Sequence, residues 1–130
     1  MKISFKKIFN KTNLPTIKIK INNNSYLFLL DTGSDVSYID TSILENENFK
    51  FIGVTKFIDY TSNIRYIRLY SIEFLIGKKK FESVFGENIC CESFKELEKL
   101  YNIKLCGIIG SKTMKELKLD IDFNTMYINV

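Results

Sequence analysis

The stretch Tyr26-Leu-Phe-Leu-Leu-Asp-Thr-Gly-Ser-Asp-Val-Ser-Tyr-Ile39 decides how this chain is read. Tyr26 to Leu30 is an unbroken apolar run of strand length, the pattern of a strand covered on both faces. It ends at Asp31. Thr32, Gly33 and Ser34 then bring turn chemistry, because glycine adopts backbone conformations closed to other residues and Asp and Ser bond to nearby backbone. Ser37-Tyr38-Ile39 resumes as a short strand. An acidic side chain is thus delivered into a loop between two strands. Taken alone, Asp31 to Ser34 is a turn after a strand and no more.

Outward from this stretch the pattern is mainly β. Thr16 to Ile21 alternates between apolar and polar as a half-buried strand does, and Asn22 to Ser25 is a turn, so a hairpin feeds Asp31 into its loop. Pro15, the only proline, precedes this strand, where its missing N–H is tolerated. Thr41 to Asn48 reads as a short helix capped by Thr41 or Ser42. Phe49 to Val54 and Ile64 to Ile76 read as a long hairpin around the polar tip Asp59 to Asn63, followed by the Gly77 turn and a strand over Phe81 to Phe85. The best helix is Ser93 to Asn102, where Ser93 and Glu96 match a capping box and Phe94, Leu97, Leu100 and Tyr101 form one apolar face. Leu105 to Ile109 reads as a buried strand ending at Gly110, then a short helix over Lys112 to Leu117. Leu119 to Phe123 and Met126 to Val130 make a closing hairpin. With no repeat, linker or low-complexity tract, residues 1–130 are expected to form one domain.

Composition narrows the chemistry. The 130 residues are 45% apolar and include 11 Phe, 7 Tyr and no Trp, so the aromatic core is expected to be built mainly from Phe. A net charge of +4 is modest, and Lys78-Lys79-Lys80 reads as a solvated turn, so no nucleic-acid partner is expected. The cysteines, Cys90, Cys91 and Cys106, are odd in number and two are adjacent, which argues against a disulfide framework and fits a reducing compartment. There is no histidine. That removes Ser-His-Asp and Cys-His catalysis and HExxH zinc sites, and leaves carboxylates as the leading acids and bases. Met1 to Leu14 is basic without the apolar core of a secretory signal, and no apolar run approaches a membrane span. A cytoplasmic location without membrane attachment is the expectation.

A second segment gives the first its meaning. Gly107-Ile-Ile-Gly-Ser111, followed by a helical stretch, lies far along the chain from Asp31. An apolar strand into Asp-Thr-Gly-Ser, a second apolar stretch, and later two apolar residues with glycine before a short helix together resemble the retropepsin-like aspartic peptidases. These are the single-domain relatives of pepsin. The resemblance covers roughly residues 3–130. It implies the acid-protease fold as a single lobe: a closed β-barrel or sandwich with one or two short helices.

The resemblance also implies a reaction and an assembly. Asp-Thr-Gly occurs once, whereas an aspartic peptidase needs two facing carboxylates, so a homodimer would supply Asp31 from each subunit. Thr32 would bond across to the partner's loop. Gly33 would offer its backbone N–H to the carboxylate, and Ser34 would bond the outer carboxylate oxygen. Ile108, Ile109 and Gly110 would pack beneath the loop and hold it rigid. The stretch Phe57 to Arg68 would be the flap over an extended peptide or protein substrate, with Tyr60 or Asn63 touching substrate from above. Unlike the usual flap tip, it contains no glycine. No metal and no other cofactor is implied. The apolar C-terminal strand, Met126 to Val130, and the alternating Lys2 to Lys6 would serve at the two-fold contact.

Other motifs carry less. Gly107 to Thr113 superficially resembles a phosphate loop, but Ser111 breaks the required Gly-Lys-Ser/Thr order. Asp120 and Asp122 alternate with Leu119, Ile121 and Phe123 and read as a solvated face. Asp35 reads as a surface or inter-subunit ion-pair residue. Two rivals to an endopeptidase remain at this level: an inactive module of the same fold that binds an extended peptide or mediates assembly, and a small β-domain in which Asp31 merely starts a turn.

Overall fold

The computed structural model describes residues 1–47, 49–58, 61–88 and 92–130. Its strands are β1 (Lys2–Ser4), β2 (Thr16–Ile21), β3 (Asn24–Asp31), β4 (Ser37–Asp40), β5 (Lys50–Ile58), β6 (Ile64–Ile76), β7 (Lys79–Asn88), β8 (Leu105–Gly110), β9 (Asp120–Asp122) and β10 (Tyr127–Asn129). Its helices are α1 (Lys6–Thr12), α2 (Thr41–Asn46), α3 (Glu92–Tyr101) and α4 (Ser111–Leu117). The fold is mainly β, with a six-stranded closed barrel, as in a single-lobe retropepsin. The barrel order is β2-β3-β8-β4-β7-β6, closed where Lys20 of β2 pairs with Leu75 of β6, and β5 hangs from β6 outside the ring.

Side-chain alternation explains the closure. In β2, Ile17, Ile19 and Ile21 are buried while Lys18 and Lys20 are exposed. Phe28, Phe74 and Phe85 are buried completely or nearly so and meet edge to face around Phe85, with centroids 5.8 Å apart in both pairs. Fully burying each ring is worth about 1.5–3 kcal/mol. The expected Phe core is therefore present. The β2–β3 turn is made by Asn22 and Asn23, both at positive φ (47° and 70°), the backbone of a tight hairpin turn.

Several local expectations are corrected. The N-terminal alternation ends at Ser4, and α1 follows, which sequence reading missed. Phe5 and Phe9 from its start and middle pack edge to face with Phe123, so a tertiary aromatic cluster holds a helix that shows no side-chain cap. The cap of α2 is Asp40, whose carboxylate accepts the Ser42 N–H, rather than Thr41 or Ser42. Helix α3 begins at Glu92, so Ser93 lies inside its first turn and is not the cap; its Leu100 and Tyr101 are exposed. Asp122 accepts N–H groups from Asn124 and Thr125, which makes it the organiser of the β9–β10 turn.

The terminal strands form a small sheet of their own. β1 pairs with β10, and β10 with β9, within one chain. The Val130 N–H donates to the Met1 carbonyl at 3.0 Å, and Lys79 Nζ donates to the Val130 carbonyl. Ile128, at the centre of this sheet, is fully buried. Among the described residues, no helix is long and apolar enough to cross a membrane.

Candidate active site

β3 ends at Asp31, and β8 runs parallel to it, with Leu29 opposite Ile108, Leu30 opposite Ile109, and Asp31 opposite Gly110. On its other side β8 pairs antiparallel with β4, Tyr38 opposite Ile108 and Ile39 opposite Gly107. The strand entering the Asp31 loop and the strand leaving it are thus both bonded to the strand inserted between them. The late Ile-Ile-Gly segment is brought directly beneath the loop. Ile109 is fully buried and Ile108 half-buried.

Close approach explains the glycines. A Cβ on Gly110 would lie 2.6 Å from the Ser34 carbonyl oxygen and 2.7 Å from that of Val36. One on Gly107 would lie 2.1 Å from the Tyr38 carbonyl oxygen and 2.7 Å from the Phe28 ring. Side chains of any size would push β8 away from the loop. The contact is fastened by hydrogen bonds: the Ser111 N–H donates to the Ser34 carbonyl at 2.8 Å and the Lys112 N–H to that of Asp35 at 3.4 Å.

The half-buried Asp31 carboxylate accepts the Gly33 N–H at 2.9 Å through Oδ1. A Cβ on Gly33 would stand 3.2 Å from that same oxygen. The Ser34 N–H donates to the Asp31 carbonyl, closing the turn. The Ser34 hydroxyl donates to the Val36 carbonyl at 2.7 Å rather than to the carboxylate, so within one chain it braces the loop backbone. Thr32 is exposed beside it. The loop therefore presents a carboxylate with one fixed donor, in a position available to a second group.

A cavity of about 520 Å³ lies between the β5–β6 hairpin and this floor. Tyr38 and Ile108 line it from below, and Phe57, Arg65, Tyr66 and Ile67 from the hairpin, with Thr41, Glu87 and Asn88 at its side. The Tyr38 and Phe57 rings meet edge to face at 6.5 Å. Burial, and then the charge of Asp35, push the Tyr38 hydroxyl above its ordinary pKa, so it stays a neutral donor. Sequence reading placed Tyr38 in a strand but gave it no role at the site. Nothing in its spacing could have done so, because Phe57 reaches it only through the fold.

At the hairpin tip, Asn63 donates from its side chain to Thr61 Oγ1, and Ser62 takes positive φ (65°). Ser62 adopts the left-handed backbone that a glycine would usually supply. Tyr60 lies outside the described residues, as do Cys90 and Cys91; Cys106 is a buried free thiol. No cluster of potential metal-binding side chains forms among the described residues.

A half-buried carboxylate on a clamped loop, a closed single-lobe barrel and an overhanging hairpin are the features the fold brings together. The family model of the retroviral aspartyl protease matches residues 11–122, and the chain belongs to that family. No curated protein matches it closely enough to serve as a relative.

Proposed function

We propose that residues 1–130 form one aspartic endopeptidase domain, active as a homodimer in which each subunit contributes Asp31. The observation that carries this reading is the single Asp31 carboxylate, bonded by the Gly33 N–H on a loop that β8 clamps. Two such carboxylates brought to about 3 Å cannot both ionise, so the pair shares one proton and titrates as a unit.

One carboxylate, as base, removes a proton from a water lying between the two. The water oxygen attacks the scissile carbonyl carbon while the other carboxylic acid protonates the carbonyl oxygen. The tetrahedral gem-diol collapses as the dyad returns a proton to the leaving nitrogen and the C–N bond breaks. Thr32, exposed at the loop, bonds to the partner's loop. Ser34, Ile108, Ile109 and Gly110 keep the carboxylate in place. The substrate lies extended beneath the β5–β6 hairpin, pairs with it by strand-like hydrogen bonds, and places side chains in the Tyr38–Phe57 cavity. Asn63 reaches it from the tip. The neutral composition of this account, with carboxylates and water alone, suits a chain without histidine.

The test is cleavage of a diverse peptide mixture from about pH 4 to 7, the range in which a shared-proton dyad works. Mass spectrometry reads the products for the parent and for Asp31→Asn. Cuts made by the parent and lost in the variant, with fold and oligomer unchanged, are expected. A folded dimer that cuts nothing at any pH overturns the enzyme reading in favour of a peptide-binding or assembly module.

A further inference from the structure

Behind the Asp31 loop, three buried hydroxyls and one carboxylate stand in file. The Gly110 N–H donates to Ser37 Oγ at 2.9 Å. Ser37 Oγ donates to Thr113 Oγ1 at 2.6 Å. Thr113 Oγ1 and Ser83 Oγ are 3.1 Å apart. Ser83 Oγ donates to Glu116 Oε2 at 2.8 Å. Ser37, Thr113 and Ser83 are 1%, 2% and 6% exposed, so their hydroxyls depend chiefly on one another for partners. The file links β8, β4, α4 and β7.

Counting protons gives it a direction. Each hydroxyl owns one hydrogen. That of Ser83 goes to Glu116 and that of Ser37 to Thr113, so Thr113 must donate to Ser83. Every bond then points the same way, from the Gly110 amide to the Glu116 carboxylate. The amide can only donate, and the ionised carboxylate can only accept. A bond to a charged acceptor is the strongest kind, and it polarises those behind it. A cavity of about 210 Å³, lined also by Asp35 and Lys112, borders the carboxylate end of the file, and Glu116 is exposed.

We infer that Glu116 is a positioning residue for Asp31: its carboxylate sets the direction of the hydroxyl file, and the file anchors Gly110 against the Asp31 loop. Gly110 is the register partner of Asp31, and the next amide, of Ser111, bonds the Ser34 carbonyl. The Ser111 and Lys112 amides tie β8 to the loop in front and the directed file holds Gly110 from behind, so the carboxylate floor is fixed from both sides. The effect on rate rests on the peptidase reading above; the effect on Gly110 rests on geometry alone.

Three variants of the full chain separate direction from mere packing. Glu116→Gln keeps an acceptor oxygen. Glu116→Ala removes it. Glu116→Lys puts a donor at each end of the file, so the hydroxyls can stay linked only by reversing, which leaves the buried Ser37 hydrogen without its acceptor in the file. Amide hydrogen exchange at Gly110 is read by NMR, with Ile19 of β2 as the control, and kcat and KM are read on a cleaved peptide. In the Ala and Lys variants Gly110 exchange is expected to rise about tenfold while Ile19 stays at the parental rate. In the same two variants kcat is expected to fall about tenfold with KM within about twofold, while Gln matches the parent in every reading. Parental exchange at Gly110 in all three variants overturns the inference. So does an equal rise at Ile19, or a Gln variant as impaired as Ala. If the parent itself cuts no peptide, the peptidase reading fails, and Gly110 exchange alone decides this inference.

Discussion

Asp31 is half-buried and receives one fixed hydrogen bond, so its geometry depends on residues that carry no charge. Gly107 and Gly110 hold it by having no side chain. Gly107→Ala would force a methyl to within 2.1 Å of the Tyr38 carbonyl oxygen, a backbone atom that cannot rotate away. The expected cost is about 3 kcal/mol or more, at the upper end for overpacking, with a correspondingly lower unfolding midpoint in urea. A Gly107→Ala protein as stable as the parent would show that β8 and β4 are not packed this closely. Of the residues singled out around Asp31, Gly33 and the Ile108-Ile109-Gly110 run were picked out in the sequence by the resemblance to the retropepsin-like family. Ser37, Ser83, Thr113 and Glu116 were not. Serine, threonine and glutamate are ordinary surface residues, and only the fold sets these four in one line.

The elements divide by how much local sequence controls them. Helix α2 depends on a local signal, the Asp40 cap, and Asp40→Ala should lower stability by about 1 kcal/mol, measured by urea unfolding. At the other end of α2, Glu47 accepts side-chain bonds from Asn22, Asn24 and Tyr26 and so ties the helix to the β2–β3 hairpin. The bond from Asn22, then that from Asn24, holds its carboxyl below the ordinary carboxylate range; partial desolvation opposes them. The lowered folded-state value fixes the sign. The stabilisation is complete above the ordinary carboxylate range and is lost as pH falls through the lowered value. Glu47→Gln should therefore be less stable than the parent at neutral pH, with the gap closing in acid. A gap that stays constant from neutral to acid pH contradicts this account. Asp122 behaves with the same sign, through bonds from the Thr125 hydroxyl and from the Thr125 and Asn124 amides. Both contributions weaken toward the acid side, where a shared-proton dyad works.

The whole molecule sets the question of assembly. One chain holds one Asp31, so the proposed activity belongs to a pair. With β1 and β10 already paired in cis, a two-fold contact at the terminal strands would use the outer surfaces of the β1-β10-β9 sheet or exchange these strands between chains. Specific activity should rise with protein concentration and level off where sedimentation shows the dimer filled. Full activity at a concentration where the chain sediments as a monomer would contradict the shared dyad. The terminal sheet itself is part of the core: Ile128→Ala should cost about 2–5 kcal/mol, read by urea unfolding. A Met1–Ser4 deletion should weaken assembly along with stability, since it strips a strand from Ile128 and its neighbours.

By itself the sequence determined the strands, the loop that bears Asp31, and a Phe-built core. Each of these is written in local patterns: alternation, turn residues, an apolar run that stops at an acid. Only the tertiary structure decided where α1 begins, which residue caps α2, that the termini pair within one chain, that Tyr38 meets Phe57, and that a file of hydroxyls runs from Gly110 to Glu116. The physical reason is common to all of these but the cap. Each depends on atoms far apart in the chain, and ordinary residues gain those partners only when the barrel closes. The α2 cap is local, but Thr41 and Ser42 carry capping side chains too, and only the backbone that β4 imposes selects Asp40.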